Sequence, residues 1–409
     1  MTRPLLPTTD SFQRIPFVPA TDGRVESHSG LTRHYPTLHG NLVDPVGAYS
    51  RTALVMAHPA SNFLSHFLLR AFAERGLPIL GVNTRYSTNE PALIMERAAL
   101  DLGCAIDWLY DTLGYEKVVI LGFSGGGGLG AFYQSQALRP TVTATPAGDP
   151  VDLSGLSPAD GLAFIGAHPG RARVLRNWID PAVTDESDPY VTDSDIDLFR
   201  ADRTVPLDRD YLARYRQSQL DRMRRIDDFA LTQLEEINER GIADRAFVVH
   251  RTVADPRFVD VTVDPSDREP GCMYGDPQQG NMAAGGVARF TTVRSWLSTW
   301  SFDHTNADAV RNLTSVDTPT LVGCLRGDQA AFVSDSTDMH SASADPQASL
   351  VQFRHLNHYL VDQADGVETI VRTVGDWMTE RNLLADNEIY VNEFYDNEID
   401  DNEIYTETA

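Results

Sequence analysis

Short, unbroken apolar runs punctuate the chain: TALVM at 52–56, PILGV at 78–82, VVILGF at 118–123, GLAFIG at 161–166, TLVGCL at 320–325 and LVQF at 350–353. Runs this short, with no alternating polar face, predict strands buried on both sides. Between them the apolar residues fall at helical spacing. FLSHFLLRAFAERG, with Ser61 or Asn62 as its cap and Gly76 as its stop, predicts one helix. Residues 91–113 predict a second through Leu93, Ile94, Ala98, Leu102, Ile106 and Leu109, and residues 366–382 a last one through Val367, Ile370, Val371, Val374 and Trp377. The looser alternation over residues 11–49, broken at Asp22-Gly23, Gly40-Asn41 and Asp44-Pro45, predicts an antiparallel hairpin at the start.

Strand alternating with helix is the pattern of a mostly parallel central sheet flanked by helices, whose ligands sit at the carboxyl ends of the strands. The rhythm stops over residues 171–316. That interval holds a helix-like stretch at 209–240, a strand-like piece at 245–253 and the loop-heavy DPSDREPGCMYGDPQQGNMAAGG. An insertion of this size between two sheet strands predicts a lid or cap over the site. The expected organisation is an α/β core in two parts, 1–170 and 317–385, a cap at 171–316, and a tail at 386–409.

Charge narrows the partners. The net charge of −24 over 409 residues excludes binding to a phosphate backbone, since no basic cluster offsets it. Part of the acidity is local: the tail repeats DNEIY with variations and carries nine Asp or Glu and no Lys or Arg. Its low complexity predicts a disordered extension, with an edge strand or a contact to a neighbouring subunit as the alternative, and homo-oligomerisation is open. Cys104, Cys272 and Cys324 lack the paired spacing of a zinc site or a redox motif. With prolines and an acid in the opening segment and no apolar run of spanning length, the expectation is a cytoplasmic protein without membrane contact, metal or cofactor.

The strongest chemical signal is KVVILGFSGGGG at 117–128. Gly122-Phe123-Ser124-Gly125-Gly126 fits G-x-S-x-G, in which small neighbours let a sharp strand-to-helix turn lift a serine hydroxyl out of the sheet. A dinucleotide fingerprint would need a glycine where Ser124 stands, and a phosphate loop would need a following lysine. Two further sheet strands end in chemistry: Asp328 follows one and His358 the next, giving the order Ser, Asp, His.

The elbow, the aspartate turn and the terminal histidine resemble the α/β-hydrolase superfamily across the whole chain outside the cap. The resemblance implies Ser124 as nucleophile, His358 as general base and then acid, and Asp328 as the group that orients the imidazole. His355 competes with His358, and Asp335 and Asp338 compete with Asp328. It also implies two oxyanion donors, Gly125 N–H and one from the loop after the TALVM strand. There His58-Pro59-Ala60 replaces the common His-Gly-x, and because Pro59 has no N–H, Ala60 is the expected second donor. His58 is open to a substrate contact or to orienting that loop. Trp178, Tyr274, Trp296, Trp300 and Phe302 are open to lining a pocket or to packing inside the cap. The substrate contacts expected are His58, Phe123, Tyr274 and Trp296.

Six segments, HPASNFLSHFLLR, NTRY, LIMERAALDLG, HPGRARVLRNWIDP, DPSDREPG and RFTTVRSWLSTWS, are similar to a bacterial group of large-lid α/β-hydrolases. That group includes actinobacterial lactone hydrolases acting on resorcylic macrolactones such as zearalenone. The resemblance implies a small-molecule ester or lactone as substrate. General carboxylesterase, thioesterase, amidase or peptidase, acyltransferase and carbon–carbon hydrolase chemistry remain alternatives on the same scaffold, and a non-catalytic binding protein is the reading from another class.

Overall fold

The apolar runs lie side by side in one nine-stranded sheet of a computed structural model, which describes residues 5–19, 34–384 and 404–407. β1 (Thr8–Pro16) and β2 (Thr37–Pro45) form the expected antiparallel hairpin at one edge. β3 (Thr52–His58) follows, then α1 (Phe67–Ala73), β4 (Ile79–Asn83), α2 (Met95–Asp107), β5 (Lys117–Ser124), α3 (Gly126–Leu138) and β6 (Gly161–Ala167). β4, β3, β5 and β6 are parallel neighbours. Every position of β3 and β6 is buried, as in a sheet covered by helices on both faces.

The period of two along β5 divides its side chains between two cores. Val118 and Ile120 pack on the face covered by α2 and α3, while Val119, Leu121 and Phe123 face the opposite layer. That layer contains α1 and the last helix, through Leu68, Phe72, Ile370, Val374 and Trp377.

Two helix starts differ from expectation. α1 begins at Phe67, several residues later than Ser61 or Asn62, because residues 61–66 are held as a loop. Phe63 N–H donates to Asn83 Oδ1, Leu64 N–H to Asn62 Oδ1, and His66 is the cap. α2 begins at Met95 and widens into a π turn at Trp108–Thr112.

Between β6 and the next sheet strand the chain builds a large insertion, the expected cap. It contains α4 (Arg171–Trp178), the long α5 (Arg209–Glu239), β7 (Ala246–Val248), α6 (Pro277–Met282), β8 (Phe290–Thr292) and α7 (Val293–Ser295), which continues as a π turn at Trp296–Trp300. Asp208 starts α5 by accepting the N–H groups of Asp210 and Tyr211. The strand expected at 245–253 is confined to β7, paired with β8. The cap has its own apolar core, in which Leu175, Ile226, Ala230, Trp296 and Trp300 meet. It is tied to the sheet domain through buried Glu96 of α2, which accepts from Ser298 Oγ at 2.7 Å and Asn306 Nδ2 at 2.8 Å. The end of the 171–316 interval belongs to the core, since Ala309 and Leu313 of α8 (Ala309–Leu313) pack in the same cluster as α3.

β9 (Thr320–Leu325), α9 (Val333–Ala342), β10 (Ser349–Phe353) and α10 (Ala364–Glu380) complete the core. β11 (Ile404–Glu407) adds antiparallel to β10, with Leu350 opposite Glu407 and Phe353 opposite Ile404. The last part of the tail thus follows the edge-strand alternative. The disorder expected for residues 386–403 and the turn expected at Asp22-Gly23 lie outside the described residues. The strand order β1-β2-β4-β3-β5-β6-β9-β10, parallel from β4 to β10, is that of the α/β-hydrolase fold, and β11 is added at its edge. Among the described residues no helix is long and apolar enough to cross a membrane.

Candidate active site

β5 runs straight into α3 through a turn in which Ser124 has φ of +53°, left-handed for a residue with a side chain. The β5–β6 register shifts at the same step, between Phe123 and Ser124. The turn is held by close approach. A Cβ on Gly126 would lie 2.6 Å from Ala57 O, and one on Gly125 would lie 2.5 Å from His58 Nε2. At 126 the obstacle is backbone and only glycine fits; at 125 a side chain would have to displace the ring of His58.

His358 and Asp328 meet Ser124 from the ends of β10 and β9. His358 Nε2 lies 3.2 Å from Ser124 Oγ, and His358 Nδ1 lies 2.7 Å from Asp328 Oδ2. Asp328 is fixed from behind, because its Oδ1 accepts the N–H groups of Ala330 at 2.6 Å and Ala331 at 3.0 Å. A carboxylate on Nδ1 places the ring proton there and leaves Nε2 free to accept from the serine. Asp328 and His358 are both buried.

The rival residues stand elsewhere. His355 is exposed, with its ring 3.8 Å from Asp267. Asp335 caps α9 by accepting Phe332 N–H at 3.0 Å, and burial pushes its carboxyl up. Asp338 lies on the exposed face of α9.

A cavity of about 510 Å³ opens over Ser124. Phe123, His58 and Tyr274 of the expected contacts line it, together with Phe67, Trp178 and Trp300. Trp296 does not. It is wholly buried in the cap core, where its Nε1–H donates to Asp227 Oδ1 at 2.7 Å, so the expectation of a substrate contact there is corrected to a structural role. Tyr274 is held in phenol form, burial pushing its hydroxyl up to about 12.

The second oxyanion donor also departs from expectation. Ala60 N–H donates to His58 Nδ1 at 3.1 Å, and Ser61 N–H to the same atom at 2.7 Å, so the N–H groups of this loop are turned onto the ring of His58. Gly125 stands at the start of α3, where free N–H groups and the helix dipole favour negative charge.

Several polar residues of the cavity had no place in the sequence reading. His66 and His168 line it, as do Arg171 and Glu90, which form an ion pair between α4 of the cap and the turn before α2. The Arg171 guanidinium also lies over the Trp300 ring, 4.9 Å from its centroid. His58 and His168 both sit in Ala-His-Pro at the end of a sheet strand, a repeated local pattern that could have flagged the second. His168 Nδ1 accepts Gly170 N–H at 3.3 Å, and His66 Nδ1 accepts Leu68 N–H at 3.3 Å. Burial lowers all three, with Arg171 adding to the effect on His58 and His168: His66 to about 4, His168 to about 3, and His58 well below the ordinary range. Three imidazoles held toward the neutral form therefore line the cavity that opens over Ser124. Among the described residues no group of His, Cys, Asp and Glu is placed to hold a metal ion.

No protein-family model matches the chain, and no curated protein does. Solved structures similar to it include the esterase domain of a Rhodothermus marinus protein, at 12% identity and TM-score 0.46 over 91% of this chain and 98% of that one. A hypothetical protein from Pseudomonas aeruginosa aligns at 14% identity and TM-score 0.48, over 91% and 94% of the two chains. Brefeldin A esterase, a bacterial homologue of human hormone sensitive lipase, aligns at 15% and 0.44, over 92% and 78%.

Proposed function

We propose that the chain is a serine hydrolase that cleaves carboxylic esters through an acyl-enzyme, with a bulky, largely apolar lactone of the zearalenone type as its preferred substrate. The observation that carries the reading is the unbroken line from Asp328 through His358 to Ser124, at 2.7 and 3.2 Å, opening on a cavity. In this reading Ser124 Oγ attacks the carbonyl carbon as its proton passes to His358 Nε2, and the carbonyl electron pair moves onto oxygen. The C–O bond to the leaving alcohol or phenol then breaks, and His358 protonates that oxygen. Water, deprotonated by the same nitrogen, attacks the acyl carbon and frees the acid and Ser124.

The lactone preference is supported by the room and lining of the cavity. Opening a lactone leaves the alcohol tethered to the acyl group, so both halves must stay beside Ser124 until water arrives. About 510 Å³ lies within the range of sites for drug-sized ligands, and Phe67, Phe123, Trp178, Tyr274 and Trp300 supply apolar walls. The test is hydrolysis of p-nitrophenyl acetate, p-nitrophenyl octanoate and zearalenone by the wild type and by Ser124→Ala. Fast opening of the macrolactone and an inactive variant are expected. Turnover of the nitrophenyl esters alone would remove the lactone preference, and activity surviving in Ser124→Ala would remove the serine mechanism.

A further inference from the structure

A two-donor oxyanion site built in the usual way needs an N–H from the loop after β3, and this loop has turned its N–H groups elsewhere. Pro59 has none. Those of Ala60 and Ser61 both donate to His58 Nδ1, at 3.1 and 2.7 Å. An imidazole nitrogen that accepts hydrogen bonds carries no proton, so the neutral ring keeps its one proton on Nε2. The ring is buried beside Arg171, His168 and His358, which opposes a second proton.

That Nε2 atom faces the elbow. It lies 2.5 Å from where a Cβ on Gly125 would stand, closer than any side chain could tolerate, and His58 lines the same cavity as Ser124 and His358. The loop therefore offers the elbow a ring donor beside Gly125 where its own N–H groups are engaged by Nδ1. His66 and His168 carry their protons on Nε2 by the same local logic, but neither ring is among the nearest neighbours of Gly125.

We propose that His58 is a catalytic residue whose Nε2–H, beside Gly125 N–H, donates the second hydrogen bond to the oxyanion formed when Ser124 attacks. The proposal rests on Ser124 being the nucleophile. The Ser124 proton goes to His358, and His58 keeps its own proton throughout, as a neutral donor aimed at charge that exists only in the transition state and the tetrahedral intermediate.

The deciding variant is His58→Asn. Its carboxamide oxygen stands in for Nδ1 as acceptor of the loop N–H groups, while nothing reaches the place of Nε2. With p-nitrophenyl octanoate, kcat is expected to fall by about 10²–10³ with KM changed less than about threefold, the size of effect seen for loss of one oxyanion donor. Binding of a trifluoromethyl ketone that forms a hemiketal with Ser124 should weaken by the same factor. His58→Gln, whose longer amide can place an N–H near Nε2, should recover part of both. ¹⁵N NMR of the wild-type imidazoles supplies a readout free of substitution: the proton is expected on His58 Nε2 and should move downfield when the ketone binds. A proton on Nδ1, or a His58→Asn variant that melts like the wild type and keeps kcat within about threefold, would overturn the proposal. Labelling of wild-type Ser124 by a fluorophosphonate, with loss of turnover in Ser124→Ala, upholds the nucleophile whatever His58 does; an unlabelled, inactive wild type overturns both.

Discussion

Asp328 divides its two oxygens between the backbone and His358: Oδ1 holds the N–H groups of Ala330 and Ala331, and Oδ2 meets His358 Nδ1 at 2.7 Å. The division predicts the outcome of Asp328→Asn. The amide oxygen is the only part of the new side chain able to accept the two backbone N–H groups, so its NH₂ is forced toward His358. Nδ1 must then accept, the ring proton moves to Nε2, and Nε2 can no longer take a proton from Ser124. Steady-state and burst kinetics on p-nitrophenyl octanoate should show kcat lower by about 10³–10⁴ with KM little changed. A loss below about tenfold would mean that Asp328 does not set the tautomer.

The contact between Gly125 and His58 makes a second prediction. Gly125→Ala puts a Cβ 2.5 Å from His58 Nε2, which must move the ring or the start of α3. A fall in kcat of about 10²-fold is expected, without loss of the folded state by circular dichroism. Because the new methyl acts by displacing His58, the double variant with His58→Asn should be little worse than the worse single variant. Losses that multiply would show that Gly125 and His58 act independently.

What the chain made legible and what it concealed divide along a physical line. Strands buried on both faces are readable as apolar runs, and the elbow as a motif, because each is decided by residues adjacent in sequence. Ser124, Asp328 and His358 could be paired only through chain order and the expected sheet, yet the ends of β5, β9 and β10 do bring them together. The cap was opaque. Trp296 and Trp300 are four residues apart on one turn of the chain and both pack in the cap core, and distant partners distinguish them: Asp227 of α5 accepts from the first, while Arg171 of α4 lies over the second, which also reaches the cavity wall. The late start of α1 has the same origin, since Asn83 on β4 holds the loop that sequence propensity assigned to the helix.

That separation of the two tryptophans is testable. Trp296→Phe removes the Nε1–H that Asp227 accepts in a buried setting, and should lower stability by about 1–3 kcal/mol in urea unfolding while leaving kcat and KM on p-nitrophenyl octanoate near wild type. Trp300→Phe changes the cavity wall and the surface under Arg171, and should alter KM for the bulky ester more than for the acetyl ester. A changed KM in Trp296→Phe with unchanged stability would restore it as a substrate contact.

The histidines lining the cavity set a sign for the pH dependence of stability. His66 is lowered to about 4 and His168 to about 3 from an ordinary value of 6.5, and His58 is lowered well below that value in the same direction. Below about pH 6.5 these side chains are protonated in the unfolded chain and neutral in the native one, so the unfolded state binds more protons and stability falls as the pH falls. The loss runs from about pH 6.5 down to about pH 4 for His66 and about pH 3 for His168, at up to about 1.4 kcal/mol per pH unit for each ring. Carboxylates confuse the lower half of that window, but between about pH 6 and 5 exposed ones stay ionised in both states. Urea midpoints across that unit should therefore fall steeply for the wild type and less steeply for His168→Gln, which deletes one titrating group and keeps an acceptor for Gly170 N–H. Equal slopes for the two proteins would mean that His168 is protonated in the native state, and the neutral donor lining of the cavity would lose one of its three members.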